Sequence, residues 1–499
     1  MIDTHATPLS AQFSEAKRKL LENTLAKISL RPPDSWVISR RPADREIPLA
    51  VAQEQVWQRA QKLRRRPALY NECITIHRNG PLDIPTLERS LAEVLRRHEI
   101  WRTCFGVKEG KPVQIIQPAL QSLGLPVVDL RGLPKEKREM EASRLAFEHS
   151  RAPFDMQQGP LVRFLLLQLE DQEFRLHLTM HQSVVDGVSV YRVFPKELTT
   201  LYEAFSVNKP SPLSDLPIQY ADYSCWQRGW LRGETLGQQL AYWQKQLGGD
   251  LPVLNWPNDR PRPATESYRG EILPFAWSAR LSEVLQELGQ REGVTLFSIL
   301  LAGFTALLHQ YTGQDDIIVG TLSPSGRKRS EVQGLIGYFL NPVALRVRPS
   351  GSLRFRDLLL QARTVVSEAL SNDDVPLEWL AEELRVKSDA TRHPFFQLAI
   401  SLGPEVVELP AGWGQTFMDV GGGGARWDLY LEFSSRTSGM IGRAQFNPDL
   451  FERTTVEGAL GDLEALLEAA SANPLLRLSE LTVRKASQTC TTSAGAGRP

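Results

Sequence analysis

Two periods of apolar residues alternate along this chain. Leu87, Leu91, Val94 and Leu95 recur at helical spacing behind Asp83-Ile-Pro-Thr86, whose aspartate and early proline read as an N-cap and first turn. Leu353–Leu370 and Val456–Leu467 carry the same amphipathic period, and Ser282 is placed to cap a helix containing Val284, Leu285 and Leu288. Leu161–Leu169 is an apolar run broken by Arg163, the pattern of a strand buried on both faces. Phe174, Leu176, Leu178 and Met180 then alternate with Arg175, His177, Thr179 and His181. That is a strand with one apolar face, and it delivers His181 at its end. Asp316–Gly320 reads as another strand. The most apolar stretch, Leu296–Leu308, contains Ser and Thr, is too short to span a bilayer and reads as a buried helix, so no membrane association is expected. Strands and helices alternate in both halves, which sets the class as α/β, with α+β two-layer lobes.

Turn formers in Val207-Asn-Lys-Pro-Ser-Pro-Leu213 separate two comparable halves. The expected organisation is a linker or docking segment over 1–45, with a short helix over Ser14–Lys27, a first lobe over 46–213, a second over 214–485, and a disordered Ser/Thr/Gly/Ala-rich tail over 486–499.

Composition removes several function classes. The 499 residues hold 58 Lys plus Arg against 58 Asp plus Glu, a balance that argues against a nucleic-acid binder. The basic run from Lys62 to Arg66 reads as a solvated helix face. Cys73, Cys104, Cys225 and Cys490 form no CxxC or Cys/His cluster, so no metal site and no disulfide framework are expected. With no secretory signal pattern at the N-terminus, the expectation is a reduced, cytoplasmic protein. Gly421–Gly424 precedes no P-loop lysine and reads as a loop.

The segment with the most chemistry is Met180-His181-Gln182-Ser183-Val184-Val185-Asp186-Gly187. A strand ends in two polar side chains, Asp186 can tie the following loop down, and Gly187 permits a tight turn. This segment resembles the HHxxxDG motif of condensation domains of nonribosomal peptide synthetases, members of the chloramphenicol-acetyltransferase-like superfamily. Seven further segments resemble the family's motifs in order. Pro48–Trp57 is similar to SxAQxRLW, with Ala50 for Ser and Gln55 for Arg. Arg97–Phe105 resembles RHExLRTxF, and Pro153–Arg163 resembles PFDLxxGPLxR. Tyr220–Trp226 resembles YxDYAxW. Gly337–Pro342 resembles IGxFVNT, with Pro342 for Thr, and Asp374–Glu378 resembles DYPFE. Arg392-His393-Pro394 matches an RNP-type motif except at His393.

The resemblance implies two chloramphenicol-acetyltransferase-like lobes forming a V-shaped pseudo-dimer, with the active site in a tunnel at their junction. It implies amide formation between an acyl donor and an aminoacyl acceptor, each carried on the phosphopantetheine of a partner carrier protein, with no cofactor bound by the domain. It assigns the reacting position to the family's second histidine, which here is Gln182, and a mainly structural position to His181. A glutamine cannot take up a proton, but its amide can hydrogen-bond an amine or a carbonyl. The resemblance makes Asp186, Gly187 and Arg327 structural at the active site, and Ser189, Gly337 and Asn341 tunnel-lining. Trp57, Trp226 and Phe339 read as core packing. The stretch from Asp186 to Phe205 looks most like domains that accept a polyketide chain, with a short break in the helix at Pro195. The alternative reading is a degenerate domain that docks carrier proteins or a tailoring enzyme without chemistry.

Overall fold

The computed structural model describes residues 37–481, except 64–66, 121, 388, 390, 417–422 and 437. The expected helix over Ser14–Lys27, most of the basic run and the tail over 486–499 lie outside the described residues.

Among the described residues two mixed sheets, each backed by helices, carry the fold, beside a two-stranded antiparallel sheet of Thr103–Lys108 and Lys111–Ile116. The first has the strand order Trp413–Thr416, Asn71–Asn79, Glu173–His181, Val162–Glu170, Val127–Asp129. The second runs Glu271–Trp277, Gly439–Phe446, Leu429–Arg436, Leu398–Leu402, Ile317–Ser323, Asn341–Val347. Most pairs are antiparallel. Leu398–Leu402 is parallel to both its neighbours, as Val127–Asp129 is to Val162–Glu170.

The apolar periods explain these elements. Leu87, Leu91, Val94 and Leu95 are buried on the helix Ile84–Arg97, which begins where the Asp83 carboxylate accepts a hydrogen bond from Thr86 N–H at 2.9 Å. The apolar face of Glu173–His181, from Phe174 to Met180, joins these residues in the first core. In the second lobe, Leu296–Thr312 is buried around most of its surface, as a core helix must be when it is apolar all round. Among the described residues no single helix is long and apolar enough to cross a membrane.

Three local readings change. The helix expected to start at Ser282 spans Ala279–Glu292 and is capped by Ser278. Ser278 has the extended backbone a cap needs and accepts from Leu281 N–H at 3.2 Å, whereas Ser282 lies one turn inside. Gly187 is not in the left-handed region; its lack of a Cβ instead lets Pro404 of the second lobe approach, since a Cβ there would lie 3.1 Å from the proline ring. The halves also interlock. The short strand Trp413–Thr416 completes the first sheet, and Val332, Leu335, Ile336 and Phe339 insert into the first core. Of the leading segment, Ile38 is buried, and Arg41 bridges Glu99 and Asp222 at 2.8 and 2.7 Å.

Candidate active site

The strand Glu173–His181 runs straight into a single 3-10 turn, Gln182–Val184, and then a π-turn, Ser189–Val193, before the helix Phe194–Ser206. Pro195 sits in the first turn of that helix, and Val193 and Phe194 keep helical backbone, so the expected break is a change of helical pitch and not an interruption.

His181 ends the strand with its ring packed against Tyr70 and Phe154, at centroid distances of 6.0 and 6.3 Å. Its Nδ1 lies 2.7 Å from Ser183 Oγ and accepts from Ser183 N–H at 3.3 Å. Burial lowers its pKa to about 3, so the imidazole is neutral at physiological pH. A lowered histidine pKa favours the neutral folded form above the unfolded value of about 6.5, and that contribution is lost only as pH falls towards 3. NMR of labelled histidine should therefore show His181 as one neutral tautomer from pH 8 down to pH 5; a chemical-shift midpoint near 6.5 would contradict this placement.

Gln182 follows, 3% exposed, and its Oε1 has no hydrogen-bond partner among the described residues. A buried acceptor left open costs free energy, so this carbonyl is poised to receive an N–H.

Asp186 and Arg327 join the lobes below this turn. Arg327 Nε donates to Asp186 Oδ2 at 2.9 Å and Nη2 to Oδ1 at 2.8 Å, a bidentate pair with the arginine side chain 4% and the aspartate 0% exposed. The remaining Arg327 hydrogens go to the Val332 and Leu335 carbonyls at 2.7 and 2.8 Å and to Ser189 Oγ at 2.9 Å, and the guanidinium lies 4.1 Å from the Phe339 ring centroid. Ser189 donates to Asp186 Oδ1 at 2.7 Å and accepts from Gly337 N–H at 3.1 Å.

Ser189, Gly337 and Asn341, expected on a tunnel wall, each make a buried contact. Ser189 is wholly buried in the clamp. Gly337 leaves room for the Tyr220 ring, which any Cβ would overlap. Asn341 donates to the Asp373 and Val375 carbonyls at 2.7 and 2.9 Å.

Two acids escaped the sequence reading. Glu197 receives Arg97 at 3.3 Å and His98 Nε2 at 2.9 Å, while His98 Nδ1 accepts from Ile336 N–H at 3.3 Å, a second link between the lobes. The signal was an acid among Phe194, Leu198 and Leu201 on an apolar helix face. Glu72, on the strand opposite the motif, pairs with Arg426 at 3.4 Å. Among the described residues no cluster of His, Cys, Asp or Glu is placed to hold a metal, and the described cysteines are free and buried.

A family model described as Condensation domain matches residues 43–489. This chain belongs to the condensation-domain family. Its homologues are condensation domains of nonribosomal peptide synthetases. It is 40% identical over 445 residues to one of the linear gramicidin synthase subunits of Brevibacillus parabrevis, covering 87% of this chain and 6% of that protein. It is 37% identical over 477 residues to phosphinothricin tripeptide synthetase PhsC of Streptomyces viridochromogenes, covering 95% of this chain and 44% of that protein. The chain thus spans a small part of the gramicidin synthase subunits it matches, 6–9% of their length.

Among solved structures, the first condensation domain of the calcium-dependent antibiotic synthetase, in complex with a substrate analogue, superposes with a TM-score of 0.75 at 20% identity, covering 88% of this chain and all of that one. The X-domain from teicoplanin biosynthesis superposes with a TM-score of 0.77 at 24% identity, covering 90% and 100%. Condensation domains share the two-lobe chloramphenicol-acetyltransferase-like fold, and this chain has it.

Proposed function

We propose that this condensation domain forms an amide between an acyl group, peptidyl or polyketide, held as a thioester on one carrier protein and the amine of an aminoacyl group held on another. No cofactor is bound by the domain; the phosphopantetheine arms belong to the carriers. The amine nitrogen attacks the thioester carbonyl, a C–N bond forms, the C–S bond breaks, and the amine proton ends on the released thiol. The observation carrying this reading is the open acceptor of Gln182, buried at the end of a strand whose loop is clamped to the second lobe. A fixed acceptor orients an amine N–H, and orientation alone contributes to rate by holding the nucleophile in line.

The test is a single-turnover assay with both carriers loaded. Wild type should exceed the no-enzyme background, Gln182→Ala should be slower by about tenfold, the worth of one hydrogen bond to the reacting group, and Gln182→His should equal or exceed wild type, because imidazole adds a base. Wild-type turnover at background, together with measurable carrier binding, would overturn the enzyme reading and leave a module that docks carriers or a tailoring enzyme.

A further inference from the structure

Glu72 faces Met180 in the register between Asn71–Asn79 and Glu173–His181. Gln182 lies two residues beyond Met180, in the 3-10 turn that the strand enters directly after the Asn71–His181 pair. Positions offset by two across an antiparallel pair stand about 7–8 Å apart, a gap that one small polar group can bridge. Glu72 is the acid on a face whose next members, Ile74 and Ile76, are buried in the core. The strand Trp413–Thr416 covers Asn71–Asn79 only from Thr75 to Arg78, so the Glu72 end is left to the second lobe. There Arg426 approaches to 3.4 Å, with side chains of 15% and 16% exposure. The other ionisable groups facing Glu72 are Arg443, itself held by Glu432 at 2.8 Å, with Tyr191 and Tyr338.

The geometry points to Glu72 as a further catalytic residue: its carboxylate holds the acceptor's amino group jointly with Gln182 Oε1 and takes up the proton that group loses. This deepens the acyl-transfer reading and rests on it for the chemical step. The chemical class follows from the donor count. Two acceptors suit a neutral amino group, which brings N–H donors and a free lone pair, and suit poorly a carbonyl, which offers no donor. As the C–N bond forms from that neutral amine, the one proton the nitrogen must lose passes to the Glu72 carboxylate. As the C–S bond breaks, the carboxylic acid returns it to the sulfur, and the carboxylate is regenerated. Gln182 holds the amine but has no proton capacity, and the Glu72 carboxylate supplies it. Arg426 is a positioning residue, holding the carboxylate at the lobe junction.

Two measurements test this. The first needs no turnover: binding of a non-transferable glycyl-pantetheine amide against its acetyl counterpart, by NMR titration. Wild type should favour the amine about tenfold, as a charge-assisted pair does. Glu72→Gln should abolish the preference, while Arg426→Lys, which disturbs the lobe contact but keeps the carboxylate, should retain it. A preference kept in Glu72→Gln overturns the proposal. The second is the single-turnover rate. Glu72→Gln should lower it about a hundredfold in the wild-type background and at most a few-fold in a Gln182→His background, where imidazole supplies the base. An equal loss in both backgrounds would mean that Glu72 is structural and would also overturn the proposal. Wild-type turnover at background with the amine preference intact and lost in Glu72→Gln would instead refute the acyl-transfer reading and keep the amine site.

Discussion

Asp186→Ala is expected to destabilise the domain by about 3–5 kcal/mol, the usual cost of leaving one member of a buried ion pair without the other. Arg327 cannot escape to water: its side chain is 4% exposed, and its remaining hydrogen bonds run to the Val332 and Leu335 carbonyls and to Ser189. The guanidinium would stay buried with its charge uncompensated. Ser189 would also lose its shorter acceptor and be left with the Gly337 carbonyl at 3.2 Å. Because Asp186 belongs to the first lobe and Arg327 to the second, the loss falls on the lobe contact itself. Thermal unfolding of Asp186→Ala, Gln182→Ala and wild type side by side measures this. The Asp186 variant should melt several degrees below both others, and a melting temperature equal to wild type would refute the clamp.

Asp373→Asn should act in the opposite direction. The Asp373 side chain is 0% exposed; Ser323 and Lys328 donate to it, and burial outweighs the lysine, pushing its pKa up from 3.8 to about 6. A carboxyl whose folded pKa is raised contributes stability below the unfolded value, and that contribution is lost as pH rises through the folded one. The ionised domain therefore carries a penalty above pH 6 of about 3 kcal/mol, at 1.36 kcal/mol per pKa unit. Asparagine keeps the shape and the acceptor for Ser323 without the charge. Lys328 is 46% exposed and can return to water. The variant should therefore be up to about 3 kcal/mol more stable than wild type at pH 8, with the difference shrinking towards pH 4. A variant less stable than wild type at pH 8 would show that the Lys328 pair outweighs the burial. The effect bears on the site, since Asn341 holds the Asp373 carbonyl and Lys328 adjoins Arg327.

Local pattern alone decided much of this protein. The alternation of Phe174, Leu176, Leu178 and Met180 placed a strand that delivers His181. Asp83 capped its helix, and Pro195 marked where the π-turn gives way to Phe194–Ser206. Each rests on period or on a hydrogen bond within four residues, which a sequence carries in full. The motif from His181 to Gly187 and its companion segments identified the family, because their order along the chain is itself sequence information. What a side chain meets from a distant segment is not written in its own surroundings. Gly187 suggested a turn but serves the approach of Pro404. Ser189, Gly337 and Asn341 take their buried contacts from Gly337, Tyr220 and Asp373, each more than thirty residues away in the chain. Ser282 suggested a cap that Ser278 provides, because backbone geometry and not residue type selects between two serines four apart. Glu72 and Glu197 acquire their partners only when segments about a hundred residues away or more, at Arg426 and His98, are brought against them. Burial sets the neutrality of His181 and the raised pKa of Asp373, and burial is a property of the packed lobes: the sequence determined which groups are present, and only the tertiary structure decided which of them are charged, paired or open to a substrate.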